Sequence, residues 1–178
     1  MNFLKNFKLT IFFSVIIFLP SAQADLLNFA LSGYCDDKDI IILQSETISP
    51  PTDFNLKELN PDAVDDLYKK NMSSIVMEFR CNALILMSEA EIKAGFKNKP
   101  KGPVGTFTDE AWVGLREKYP GVSGVLRLSQ AGYSIDHTYA ILYMASSCDS
   151  LCGYVYFIQY KLVNGSWVYD KRVLVAKS

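Results

Sequence analysis

Gly153-Tyr154-Val155-Tyr156-Phe157-Ile158-Gln159-Tyr160-Lys161 is the stretch whose reading decides the fold. Six of these nine residues are aromatic or β-branched, a composition that suits a pleated strand. Alternation with period two puts Tyr154, Tyr156, Ile158 and Tyr160 on one face and Val155, Phe157 and Gln159 on the other. A strand with one wet face shows clean polar alternation, and this one does not. Both faces therefore need cover. The chain's own helices supply one cover; a loop, a second subunit or a ligand supplies the other.

Working outward, Asn164-Gly165 provides the two positive-φ residues of a type I′ hairpin. Trp167 to Val175 follows as a strand, with Trp167 and Tyr169 opposite Val168, Asp170 and Arg172. Upstream, Tyr139 to Ala145 is an apolar run of strand length. Val125 to Tyr133 makes a fourth strand, joined to it through Ser134 to Thr138. Short connections between successive strands favour antiparallel neighbours, so these four predict a meander.

The preceding half reads differently. Ile40 to Leu43 is a short buried strand, and Ser49-Pro-Pro-Thr52 a connection. Asn60-Pro61 is an N-cap followed by proline at the first helical position, with Asp62, Asp65 and Asp66 at the positive end of the dipole. Val64, Leu67, Tyr68, Met72, Ile75, Phe79 and Ala83 recur at helical spacing, so a helix extends from Pro61 towards Met87 or breaks near Ser73-Ser74. Ser88-Glu-Ala-Glu91 is a capping box. Asn98 to Gly105 is a Pro- and Gly-rich loop without phosphate-loop spacing, and Thr108 caps a last helix that stops at Pro120-Gly121. The expected fold is α+β, a helical N-terminal half packed on a four-stranded antiparallel meander. That layout is similar to the cystatin or nuclear-transport-factor folds.

Residues 1–24 have the pattern of a cleaved signal peptide: Lys5 and Lys8, an apolar core from Leu9 to Leu19, then Ala22-Gln23-Ala24. Cleavage there leaves residues 25–178, the size of one domain. Two of the 18 Lys and Arg and none of the 19 Asp and Glu lie in that segment, so formal charge moves from −1 to −3. Such mild acidity gives no footprint for nucleic acid or an anionic membrane. Four cysteines in an exported chain point to disulfides. Cys148 and Cys152 are close enough to bridge within one hairpin loop, which leaves Cys35 for Cys81. One histidine supplies too few further ligands for zinc, and Asp36-Asp37-Lys38-Asp39 lacks the Gly and distant Glu of a calcium loop. No metal or cofactor is expected.

From Trp112 onward, Tyr119-Pro120-Gly121, Leu128-Ser129, the Tyr139–Ala145 strand, Cys152-Gly153 and Gly165-Ser166-Trp167 occur in that order. This order resembles that of uncharacterised secreted bacterial proteins ending in a Gly-x-Trp hairpin. The resemblance covers little more than a third of the chain and implies export and fold, with no known activity.

Ser134, Asp136 and His137 contain the residue types of a hydrolase triad, yet neighbours in an extended chain point to opposite faces, and there is no nucleophile elbow. The expected function is therefore non-enzymatic binding, in the periplasm or outside the cell, through the aromatic face of Tyr154, Tyr156, Tyr160, Trp167 and Tyr169. Its partner would be a protein, a small ligand or a second copy of the chain. The alternative is a periplasmic or secreted hydrolase using carboxylates or His137.

Overall fold

The computed structural model describes residues 22–36, 38–79, 81–96, 109–149 and 152–177. Most of the expected signal segment lies outside them, as do the Asn98–Gly105 loop and the Thr108 cap. Eleven elements follow in order: α1 Ala22–Cys35, β1 Ile40–Gln44, α2 Pro61–Lys70, β2 Leu84–Met87, α3 Glu89–Gly95, α4 Asp109–Lys118, β3 Val122–Leu128, β4 Gly132–Tyr133, β5 Tyr139–Asp149, β6 Cys152–Val163 and β7 Ser166–Lys177.

The strands form one seven-stranded mixed sheet in the order β2-β1-β3-β5-β6-β7, with β4 paired to β5. This corrects the expected architecture. β3, β5, β6 and β7 do pair consecutively and antiparallel. The sheet does not stop there, because β1 lies parallel to β3 and to β2. The N-terminal half thus contributes two strands as well as helices. Parallel neighbours need helical crossovers, and α2 lies between β1 and β2, α3 and α4 between β2 and β3.

The long helix expected from Pro61 ends at Lys70. Asn60 caps its start by accepting from the Ala63 N–H. Asn71 closes it: the buried side chain donates to the Leu67 and Gln130 carbonyls and accepts from the Gln130 N–H. Beyond it the helical spacing was coincidental. Met72, Ile75 and Val76 are exposed, while Met77 is buried. The Ser88–Glu91 capping box is present, and so is the Asn164-Gly165 turn, with φ of 51° and 79°.

Both sheet faces are covered, in three layers. On one face α1 lays Leu26, Leu27 and Leu31 over Leu126, Leu128, Leu142, Ile158, Tyr160 and Trp167. On the other, α3 and α4 pack on Ile42 and Val125, and α2 with the Leu56–Leu59 segment packs on Ile141, Tyr143 and Phe157. Gln159 is the polar exception among these strand residues. Buried, it accepts from the Asn60 N–H and donates to Asp170, tying the start of α2 to β6 and β7.

Two disulfides close the structure, Cys35–Cys81 and Cys148–Cys152. Loop-closure entropy puts their worth at about 4 and about 2 kcal/mol for separations of 46 and 4 residues. The first ties the end of α1 to the chain just before β2.

Gly132 lets α2 lie flush against the sheet: a Cβ there would strike the Ala63 carbonyl and the Leu67 backbone. Backbone cannot swing aside as a flexible side chain can. Gly132→Ala is expected to cost about 3 kcal/mol. For a domain of this size that lowers Tm by roughly 6–12 °C. Thermal unfolding by circular dichroism checks it, and an unchanged Tm would show that α2 does not sit where described.

Candidate aromatic and cationic binding patch

The structure divides the five aromatics of the expected contact face. Tyr160 and Trp167 are core residues, 5% and 7% exposed. α1 covers Tyr160, where Phe29 meets it edge-on with ring centroids 5.9 Å apart, and Trp167 lies 6.0 Å from Tyr133 of β4. They offer no surface to a partner. Tyr154 and Tyr156 are half-buried, and Tyr169 is 54% exposed. The usable part of the face is therefore the end of β6 away from the Asn164-Gly165 turn, together with the β7 edge.

Here the rings of Tyr154 and Tyr156 lie parallel, centroids 5.9 Å apart. Arg172 sits over Tyr156 with its guanidinium carbon 4.6 Å from the ring centre, and Lys177 Nζ lies 5.6 Å from that of Tyr154. Both cations are exposed, and neither forms an ion pair with a described carboxylate. Tyr34, at the end of α1, donates its hydroxyl to the Met144 sulfur at the inner margin. Leu174, opposite Tyr156, is 53% exposed and adds apolar area.

Alternation along β7 alone puts Arg172 on the face away from Trp167 and Tyr169. A bulge reverses this. Tyr160 pairs with Tyr169 and Gln159 with Lys171, so Asp170 is an extra residue and Arg172 arrives opposite Ile158, on the tyrosine face. A second bulge at Val175 brings Lys177 opposite Tyr154. Sequence reasoning missed Arg172 for this reason, and missed Lys177 because the strand was expected to end at Val175, two residues short of it. The only signal was Asp170-Lys171-Arg172, three consecutive charges interrupting the apolar alternation.

Three tyrosines beneath and beside the patch, Tyr34, Tyr133 and Tyr160, have phenols shifted upward. Burial, then the neighbouring Tyr34 and Tyr169, pushes the Tyr160 phenol up to about 12. Burial also raises Tyr34, with Tyr156 adding to it, and raises Tyr133 strongly beside Asp66 and Asp25. Phenols shifted upward carry no proton away near neutral pH. The patch can hold a partner through cation–π contact, hydrogen bonds and apolar area.

The triad residue types serve a turn. Ser134 donates to Asp136 Oδ1 at 2.6 Å, and Asp136 also accepts from the N–H and hydroxyl of Thr138. His137 has φ of 56° and packs its ring 5.7 Å from Tyr133. The serine, threonine and backbone donors hold the Asp136 carboxyl down to about 2, which makes it a poor base. Elsewhere Glu91 closes the Ser88 capping box and Glu89 pairs with Lys93. The Asp109 and Glu110 side chains lie outside those described. Among the described residues no group of three or more His, Cys, Asp or Glu gathers to hold a metal.

Three open grooves mark the surface. Two, of about 410 and 420 Å³, flank Tyr68 between α2 and the Ser49–Leu59 connection; a third, of about 530 Å³, runs along Val76 to Phe79 beside β2. No helix among the described residues is long and apolar enough to cross a membrane. No known family, curated protein or solved structure matches the chain.

The Asp136 turn carries a testable pH dependence. Its folded pKa lies near 2 against an ordinary 3.8, so its contribution is present above that ordinary value and disappears as pH falls towards 2. Asp136→Asn should therefore destabilise the protein at pH 6 and match the wild type near pH 2. Urea unfolding of both across this range measures it. A stability gap that persists at pH 2 would refute the assignment.

Proposed function

We propose that the chain is an exported binding domain without catalytic activity, engaging its partner through Tyr154, Tyr156, Arg172 and Lys177, with Tyr169 at the margin. One observation carries this reading: two exposed cations, without carboxylate partners among the described residues, stand over a parallel pair of tyrosines beside the sheet's outer strand. Tyrosine and arginine contribute disproportionately to recognition, since they offer large area and directed polarity at little entropic cost. The partner is a protein or a small ligand, or a second copy of the chain.

Export is supported from two sides. Disulfides persist in oxidising compartments, and this chain carries two. The basic, apolar and Ala-x-Ala sequence before Asp25 supports secretion to the periplasm or beyond. Cleavage after Ala24 keeps every buried leucine of α1, the first being Leu26. The resemblance of the C-terminal segment to secreted bacterial proteins agrees with this.

Site-specific photocrosslinking in the exporting cell tests the reading. A benzophenone side chain replacing Tyr156 should yield a discrete crosslinked species. The same group at Ile135, an exposed residue of the Ser134–Thr138 turn, should not. Equal crosslinking at both positions, or none at either, would contradict a binding role for the patch.

A further inference from the structure

We infer that the outer edge of β7 docks an acidic, extended segment of another protein, added as a further strand with its carboxylates over Arg172 and Lys177. The inference rests on the binding role proposed above and specifies its partner. β7 ends the sheet: it pairs with β6 from Ser166 to Lys177, and no described strand pairs with its other edge. An open edge presents a row of backbone donors and acceptors, which a protein either guards or uses.

The charge of this edge indicates which segment it takes. Arg172 and Lys177 project on the tyrosine face and lack carboxylate partners among the described residues. The nearest acid on the strand, Asp170, is turned to the other face, where it accepts from Gln159. Lys171 leans towards the Glu58 carbonyl on that same face. An arriving strand on the tyrosine side therefore meets positive charge that no described carboxylate offsets. Because each ring already carries a cation, the patch presents charge rather than bare ring faces, which suits carboxylates better than a stacking sugar.

The same features disfavour a second copy. Another β7 would bring its own Arg172 and Lys177 to the edge, and the bulges at Asp170 and Val175 prevent a long flat pairing. Between them, Lys171 to Leu174 runs regularly opposite β6, enough for a short strand with acids at alternate positions.

The test uses the mature, disulfide-bonded chain and three fluorescent nonapeptides: alternating Glu-Thr, alternating Lys-Thr, and Glu-Thr N-methylated along one edge. Anisotropy should show binding of the unmodified Glu-Thr peptide alone, weakening as salt is raised. Amide exchange of β7 should slow in that complex. Arg172→Glu with Lys177→Glu, both at exposed positions, should weaken Glu-Thr binding by about tenfold or more and make Lys-Thr the preferred peptide. Equal binding of the two charge types, binding of neither, or unimpaired binding of the N-methylated peptide would overturn the inference. A sulfated oligosaccharide that displaces nothing yet shifts the Tyr154 and Tyr156 resonances would overturn the acidic strand and leave the patch's binding role standing. Absence of crosslinking at Tyr156 removes that role itself.

Discussion

β6 is apolar on both sides, and the rest of the structure follows from covering it twice. Ile158 and Tyr160 face one way, Phe157 the other, and none can be left to water at acceptable cost. Full burial of such side chains contributes about 1.5–3 kcal/mol each relative to exposure. One cover is α1, whose three buried leucines are held in place by the Cys35–Cys81 bridge. The other is α2 with the segment before it, seated closely because residue 132 is glycine and fastened through Gln159 to the helix cap. β1 and β2 widen the sheet and give α3 and α4 their own apolar floor.

Where the covers end, the exposed aromatic and cationic surface begins. α1 terminates at Cys35, beside Tyr34 and Met144, so Tyr154 and Tyr156 stand at its margin, only half enclosed. The bulge at Asp170 then turns an arginine onto that margin. One extra residue thus shapes the packing and the proposed contact surface together. It frees Asp170 to meet the buried Gln159 on one face and places Arg172 over Tyr156 on the other.

Local signals were legible in the sequence. Asn60-Pro61, the Ser88 capping box, Asn164-Gly165, the last three C-terminal strands and the cysteine pairs each rest on interactions between near neighbours or on composition, and the structure contains them; the strand expected over Val125–Tyr133 is instead divided into β3 and β4, both paired with β5. What depended on distant partners was not. β1 became one strand of a mixed sheet because β3 lies beside it, a pairing across about eighty residues that no local pattern announces. Helical spacing beyond Lys70 was outweighed by Asn71, which ties the chain to Gln130 instead. α1 lay between an export signal and a cysteine and showed too little periodicity to be noticed. The aromatic face was recognised as a set, but its division into core and surface depends on where α1 ends. Arg172 depends on a bulge that two-residue counting cannot foresee, and Lys177 on a strand that runs past Val175.

The division of the tyrosine face is therefore the central claim, and tyrosine nitration of the folded protein, read residue by residue by peptide mass spectrometry, tests it most directly. Tyr169 should react fastest and Tyr154 and Tyr156 more slowly. Tyr133 and Tyr160, buried and with phenols shifted upward, should stay unmodified until the chain unfolds. Nitration of Tyr160 at the rate of Tyr169 in folded protein would contradict the account, since it would mean that α1 leaves the face open.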